Sequence, residues 1–438
     1  LRHQYRAYTH ETRVGDLVRL LLSRRDFALA WLGSLISLAG DWMLSAALPV
    51  YVYQLTGSAM ATGLMFAVHV LPYLLLGSVA GVFVDRWDRK RALVIANVVH
   101  AIGLIPLLLV SSAEQLWLIY VVQLTQAVIA QVVRPAKGAL LPRLVPEDEL
   151  PAANSLNALN GNLSRLVGPA VGGLMIATTG LWSVTVADAI TFAAAAVSIE
   201  MIRADTRPPV RTAESAEHAL AAFLRDWLDG LRVVRHDRTL TILFAFVAIS
   251  SVGEGVMAAT FVPFVNRVLE GGESAFGAIV SAQAIGGLIG SAWLAARPNL
   301  LPPVRLVGVG ALGLASIDLL TFNYHPFVSG IVPALVFMAI VGIPITGMVV
   351  GLTTLQQVCT SDAYRGRVLG AYVTTSSLFT LAGSMLGGFV GDRFDLVMVL
   401  NVQSLGYGVA GLLVLALLGA EVGAARVARA EASSAGVA

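Results

Sequence analysis

Residues 60–91 read MATGLMFAVHVLPYLLLGSVAGVFVDRWDRKR, from Met60 to Arg91. Up to Val84 there is no Asp, Glu, Lys or Arg; then Asp85, Arg86, Asp88, Arg89, Lys90 and Arg91 arrive with only Trp87 among them. A hydrocarbon core about 30 Å thick takes roughly 20 apolar residues in a helix. Lipid offers the backbone no outside hydrogen-bond partner, so 60–84 reads as a spanning helix and the charged run as a turn in water. The same ruler, moved outward, marks twelve runs in all: 27–54, 60–84, 91–111, 115–141, 152–177, 181–202, 241–265, 274–296, 304–322, 326–356, 367–390 and 396–420. The whole chain agrees, with 57% of its 438 residues hydrophobic and 13% charged and a mean hydropathy of +0.77. A water-soluble domain of this length does not sustain such a balance. The class expected is an all-α membrane protein with 12 transmembrane helices.

Lys and Arg collect on the cytoplasmic side of short loops. With the N-terminus inside, only Arg267 and Arg393 of the 29 Lys and Arg fall outside, and Arg165 lies within a span. Both termini are therefore expected in the cytoplasm, around a bacterial inner membrane. Residues 1–26 form a cytoplasmic segment without an apolar signal core; within it 16–23 (DLVRLLLS) reads either as a short surface helix or as a solvated leader. A six-helix bundle at 27–202 and a second at 241–420 are separated by the longest polar interval, 203–240, and followed by a tail at 421–438. In the linker, Ala219, Phe223, Trp227, Leu228 and Leu231 recur at helical spacing opposite Arg225, Asp226, Asp229 and Arg232, which predicts an amphipathic surface helix. The single cysteine, Cys359, lies near the inner end of the tenth span, provides no disulfide framework and reads as inert.

The two halves repeat. A shift of 213 residues lays Gly40-Asp41 on Gly253-Glu254 and Gly77-Ser78 on Gly290-Ser291. A shift of 215 lays Leu140 on Leu355, Gly168 on Gly383 and Gly172-Gly173 on Gly387-Gly388. These matches fall at equivalent spans, as a six-plus-six duplication requires.

The charged turn after the second span, Gly81-Val-Phe-Val-Asp85-Arg86-Trp87-Asp88-Arg89-Lys90-Arg91, resembles the G-x-x-x-D-R-x-G-R-R signature of the major facilitator superfamily, carried between spans two and three. The resemblance implies two pseudo-symmetric six-helix bundles. It also implies that Gly81, Asp85, Arg86, Arg89, Lys90 and Arg91 form a conformational latch, bonded to each other and to cytoplasmic helix ends, that holds the outward-facing state. Asp88 replaces the usual glycine, a departure associated with the drug and siderophore exporter branch. Gly168-Pro169-Ala-Val-Gly172-Gly173 is similar to the core of the antiporter signature, although Ser155 and Ser164 stand where further glycines belong. Gly-Pro kinks a helix and small residues four apart let helices touch, so packing alone is the other reading. Gly40-Asp41-Trp42, Arg134-Pro135-Ala-Lys137, Leu140-Leu141-Pro142 and Arg365-Gly366-Arg367-Val368 further resemble the branch that includes macrolide and enterobactin exporters.

A charge at the bilayer centre costs roughly 2.5 to 3.5 kcal/mol on insertion scales, so those inside the runs are candidate site residues: Asp41, Arg165, Asp188, Glu254 and Asp318, with His69 and His100. Asp41 and Glu254 are repeat-equivalent, about halfway along spans one and seven, and two acids at matching depth would face a central cavity and carry protons or bind a cationic group. The alternative is a structural pair with Arg165 or with Gln123, Gln126 or Gln283. Arg165 reads as a counter-ion for an acid or an anionic cargo group. Asp188, Gln126 and Asn157 are placed with the cavity, Asn157 sharing a face with Asn160. Asp188 and Asp318 lie nearer the periplasmic ends, where interfacial hydration can suffice, and the two histidines read as polar packing.

Enzyme chemistry has no support: the chain lacks a phosphate-cradling loop, metal-ligand spacing and a nucleophile with its base. No polar segment is long enough for a nucleotide-binding domain. A channel fits less well than alternating access around paired acids. The reading is a secondary transporter, a proton-coupled antiporter exporting amphipathic small molecules such as drugs, with a lysophospholipid or lipid translocator, or a siderophore-like metabolite exporter, as alternatives. It expects no cofactor beyond a proton gradient, no metal, no nucleic acid, membrane lipids as surroundings, and a monomer.

Overall fold

A computed structural model describes residues 14–76, 87–206, 216–297, 301–360 and 364–435. The described residues form fourteen α-helices. A short α1 (Val14–Ser23) precedes α2 (Arg25–Thr56), α3 (Ala59–Leu76), α4 (Arg89–Gly103), α5 (Leu116–Leu144), α6 (Leu150–Thr179) and α7 (Leu181–Glu200). A linker helix, α8 (Ala216–His236), leads to α9 (Arg238–Arg267), α10 (Gly272–Ala296), α11 (Pro303–Asn323), α12 (Val332–Cys359), α13 (Arg365–Gly391) and α14 (Leu396–Ala435). Ten of these are long and apolar enough to cross a bilayer by length and composition. The other two spans have plain reasons for falling short. The described part of α3 stops at Leu76, and α6 carries Asn154, Asn157, Asn160, Asn162 and Arg165 along its length.

Twelve transmembrane helices form two six-helix bundles, α2–α7 and α9–α14. Each neighbour pair in the first recurs in the second: α2 packs on α6 and α7 as α9 packs on α13 and α14, and α3 and α4 hold α5 as α10 and α11 hold α12. The bundles meet through α6 on α10 and, symmetrically, α13 on α3. An even number of crossings puts α1, α8 and the end of α14 on one side, called here the terminal face; the opposite side is the far face.

Apolar packing differs between the two sides. Toward the terminal face each bundle has its own core, Phe27, Leu93, Leu140, Leu156 and Ile199 in one and Leu243, Phe246, Val307, Leu355 and Val414 in the other. Toward the far face one cluster crosses between bundles, joining Ala46, Val50 and Tyr53 of α2 to Phe261, Val265, Ile279 and Leu400. Large apolar side chains such as Ile95, Ile102, Leu174, Ile190 and Val197 are exposed on the outside, where lipid is their solvent.

Several boundaries differ from expectation. The tenth span starts at Val332 rather than 326, because Gly330 takes a φ of 92° and the backbone turns there. Tail residues 421–435 continue α14 as helix, in keeping with their Ala, Glu and Arg content. Of the two readings of 16–23 the helix is present, with Leu20 buried and Leu22 82% exposed. On α8, Leu228 lies on the exposed side, and Gly230 and Val234 take the packed face against Arg367, Val368 and Ala371.

Candidate functional site

A cavity of about 710 Å³ lies inside the first bundle and extends from mid-membrane toward the terminal face. Phe27, Leu144 and Ile199 line it near that face; Asp41, Ser45, Gln123 and Asp188 line it at mid-depth. Its volume falls within the range of about 300–1,000 Å³ typical of small-molecule sites. Six of the expected site residues meet here: Asp41, His69, His100, Gln126, Asn157 and Asp188. Glu254 and Arg165 are not among its walls.

Asp41 is on α2, deep in the protein but with its side chain open to the cavity. Next to it Gly40 lets α7 come close: a Cβ there would lie 2.2 Å from Asp188 Oδ1. Asp188 is wholly buried, Thr191 Oγ1 donates to its Oδ1 at 3.1 Å, and its Oδ2 has no partner. Interfacial hydration is therefore not what accommodates Asp188, and the same correction holds for Asp318, 3% exposed between α11 and α14. Both lie within two turns of the far end of their helices, but neighbouring helices cover them.

Gln126 is held by His100. The imidazole Nδ1 bonds the Gln126 amide oxygen, the amide nitrogen donates to the His100 carbonyl at 3.1 Å, and the ring stacks on Phe192 at 4.6 Å. His100 is packed as expected and shapes the cavity wall at the same time. Asn154 and Asn157 line the cavity, whereas Asn160 is buried and donates to the Trp31 carbonyl at 3.0 Å. Asn157 and Asn160 lie on the same side of α6, about 60° apart, but only Asn157 reaches the cavity because α2 covers Asn160.

Lys137 and Arg134 are cavity residues that the charge pattern hid. Counted among the inside-loop charges, both lie within α5, and Lys137 sits two turns from its end at Leu144, donating to Ser34 Oγ at 3.2 Å. Arg134 lies over the Tyr73 ring, 6.0 Å from its centroid. A lysine three residues from an arginine inside an apolar run was the available signal.

Arg165 and Glu254 form a second arrangement, between the bundles. The Arg165 Nη2 donates to Gln283 Oε1 on α10 at 2.8 Å, its guanidinium stands 5.8 Å from the centre of Trp42, and it attracts Glu254 across the interface. Trp42 also lines the cavity, so the two arrangements share a wall. The repeat carries through side chain by side chain. A Cβ on Gly253, beside Glu254, would lie 3.3 Å from the Tyr407 ring and 3.4 Å from Gln403 Cγ, as one on Gly40, beside Asp41, would meet Asp188. Gln403 is the residue 215 positions beyond Asp188.

The Gly-Pro motif is a packing surface with two sides. A Cβ on Gly168 or Gly172 would lie 2.5 Å from Trp42 Cβ or 2.3 Å from the Met43 carbonyl oxygen, both on α2. Gly173 meets Gly277 of the other bundle, and a Cβ on Gly277 would lie 2.1 Å from the carbonyl oxygen of Pro169. The counterparts Gly383 and Gly387 press on Val252 and Val256 of α9, and Gly388 on Met60 of α3.

Of the expected latch, Gly81, Asp85 and Arg86 lie outside the described residues. The rest binds within the first bundle: Arg89 Nη1 donates to the Thr206 carbonyl at 3.3 Å, and Lys90 Nζ to the Ile202 carbonyl at 3.1 Å, with Glu200 at 3.2 Å. Cations thus meet the C-terminal end of α7, where carbonyls carry partial negative charge. Arg91 contributes its amide, which donates to Asp88 Oδ1 at 3.1 Å. Asp88 is the N-cap of α4 and also accepts from Thr206 Oγ1 at 2.8 Å. Burial opposes its charge, but those donors outweigh burial and hold its carboxyl below the usual carboxylate range.

A duplicated twelve-span bundle with charged groups at mid-membrane is the architecture of a secondary transporter, not of an enzyme. The Major Facilitator Superfamily profile matches residues 30–384, and the chain belongs to that family. Macrolide efflux protein A of Streptococcus pyogenes is 25% identical over 370 residues, covering 84% of this chain and 89% of that protein. Enterobactin exporter EntS of Citrobacter koseri is 26% identical over 419 residues, covering 91% and 93%. Among solved structures, the nucleoside transporter NupG shares the fold with a TM-score of 0.71 at 14% identity, over 89% of this chain and 99% of that one. The protein is a multi-pass membrane transporter with efflux proteins among its relatives.

Proposed function

We propose that this transporter exports amphipathic small molecules from the cytoplasm by alternating access, in exchange for protons. The observation that carries the reading is the asymmetry of packing. The apolar core is shared across bundles at the far face and separate at the terminal face, where a cavity leads to Asp41. The terminal face is the cytoplasmic one in this proposal, which leaves Arg267 and Arg393 outside and accords with the loop-charge rule. Cargo enters from the cytoplasmic side, between the apolar walls of Phe27, Trp31 and Leu141 and the polar groups above them.

Asp41 is the proton carrier nearest the cargo, and Glu254, attracted by Arg165, is its counterpart across the interface. A carboxylate taken from water into a low-dielectric site favours its neutral form unless a cation replaces the proton. Protonation from outside and release inside then alternate with cargo binding as the bundles rock. Export among relatives, and the identity of their cargo, belong to those proteins and only support the direction assigned here.

The test is proton-driven uptake of fluorescent amphipathic drugs into everted vesicles, following acidification loss at the same time. Asp41→Asn and Glu254→Gln are each expected to uncouple drug movement from proton movement, with Asp41→Asn the more severe. Unchanged coupling in both variants would remove the carboxylates from the mechanism.

A further inference from the structure

The cavity holds charge of both signs in separate places. On α5, Arg134 and Lys137 are one helical turn apart and face it together. Their direct contacts are with neutral groups: Lys137 donates to the Ser34 hydroxyl and Arg134 lies over the Tyr73 ring. Among the described residues neither is ion-paired, although Asp41 is close enough to attract Lys137. On α2 and α7, Asp41 and Asp188 bracket Gly40, and Asp188 Oδ2 is buried without a partner. The two cations are on α5 and the two acids on α2 and α7, with no salt bridge between them among the described residues.

An unpaired ammonium in a span costs free energy, as does an unpaired carboxylate. A ligand that brings the opposite charge to each recovers that cost as two charge-assisted hydrogen bonds. We infer that the cavity takes a zwitterionic amphiphile, with a carboxylate or phosphate on Lys137 and Arg134, an ammonium on Asp41, and an apolar body against Trp42 and Phe192. This rests on the proposed cargo site and narrows it from amphipathic molecules in general to those carrying both charges. Neither a simple cation nor a simple anion satisfies both ends.

Binding to the full chain in lipid nanodiscs, without any gradient, tests this separately from proton coupling. Three probes share one apolar body: naphthylalanine (zwitterion), its methyl ester (cation) and its N-acetyl derivative (anion), followed by naphthyl fluorescence anisotropy. Wild type is expected to bind naphthylalanine at least about tenfold more tightly than either derivative. Lys137→Met should abolish the preference for naphthylalanine over the ester while leaving the ester's affinity unchanged, and Lys137→Arg should restore it. Asp41→Asn should abolish the preference over the N-acetyl derivative. Melting temperatures of the variants separate these losses from misfolding. Competition by submicellar lysophosphatidylethanolamine identifies a lipid headgroup as the zwitterion; its absence, with naphthylalanine bound, identifies a free small molecule. The ester binding most tightly and unaffected by Lys137→Met, the N-acetyl derivative binding most tightly, or no discrimination among the three would each overturn the inference. Any of these leaves the exporter reading standing, whereas loss of vesicle transport with the zwitterion preference intact would do the reverse.

Discussion

Gly172 has no room for a side chain. A methyl group there would lie 2.3 Å from the Met43 carbonyl oxygen, a backbone atom that cannot rotate away, so Gly172→Val must push α6 off α2. Overpacking of this kind costs about 1–3 kcal/mol. On the same helix Gly161 has nothing within 4 Å of the equivalent point. Gly161→Ala should therefore be neutral or stabilise by roughly 0.4–1 kcal/mol through the unfolded chain. Fluorescence-detected melting in detergent distinguishes the two: a fall for Gly172→Val beside no fall for Gly161→Ala is expected, and equal falls would mean that glycine content rather than close approach governs α6. Residue chemistry also explains Asn160, which looks like a cavity group in sequence but uses its amide to fasten α6 to the Trp31 carbonyl of α2.

Among the elements, α4 starts at a charged turn whose cap is not the residue the family motif leads one to expect. Asp88 accepts from the Arg91 amide at 3.1 Å and from Thr206 Oγ1 at 2.8 Å, so one side chain starts α4 and fixes the chain leaving α7. Asp88→Ala should cost about 1 kcal/mol locally, a typical N-cap loss. Because the folded carboxyl is held below its ordinary value, its contribution is complete above the unfolded value of about 3.9 and is lost as pH falls through the folded one. Amide protection factors at 89–92, taken relative to the intrinsic exchange rate at each pH, should thus be constant from about pH 7 to 5 and fall only in stronger acid, and the Asp88→Ala variant should be less protected and lack that acid-dependent fall. The spans themselves were legible, since apolar length is an element-scale signal and most ends fell within a few residues. Asp41, Asp188, Gln126 and Asn157 were legible as cavity groups because polar residues interrupt apolar runs there. Lys137 was not, because it lies near the inner end of the run 115–141 and counts with the cytoplasmic loop charges, whereas α5 continues through Pro135 to Leu144 and turns it into the cavity. Nor could sequence say that Glu254 faces Arg165 rather than Asp41, since that depends on how the two bundles dock.

For the whole molecule, polar contacts between the bundles gather at one corner of the far face, beside the shared apolar cluster. Asp392, just after α13, sits at the start of α3: its Oδ1 accepts from the Ala59 amide at 2.6 Å, and its Oδ2 from Ser58 Oγ at 2.6 Å and the Met60 amide at 3.1 Å. A carboxylate at a helix N-terminus gains from the aligned peptide dipoles as well. Arg267, at the end of α9, donates to the Gly57 carbonyl and lies 5.2 Å from the Tyr53 ring centre, adding a second tie to the same corner. Under the alternating-access proposal, both ties break when the far face opens. Asp392→Ala removes three bonds at a solvent-exposed site, so its effect is limited by screening to about 1–2 kcal/mol, which shifts the ratio of closed to open far face by about 5- to 30-fold. Spin labels on Thr178 of α6 and Glu273 of α10, in a Cys359→Ser background, straddle the interface on that side. Asp392→Ala should add a longer-distance population in lipid, and Asp392→Asn, which keeps acceptor oxygen but not charge, should add less of it. A distance distribution unchanged in both variants would place the closing energy in the shared apolar cluster of Val50, Phe261 and Val265 instead.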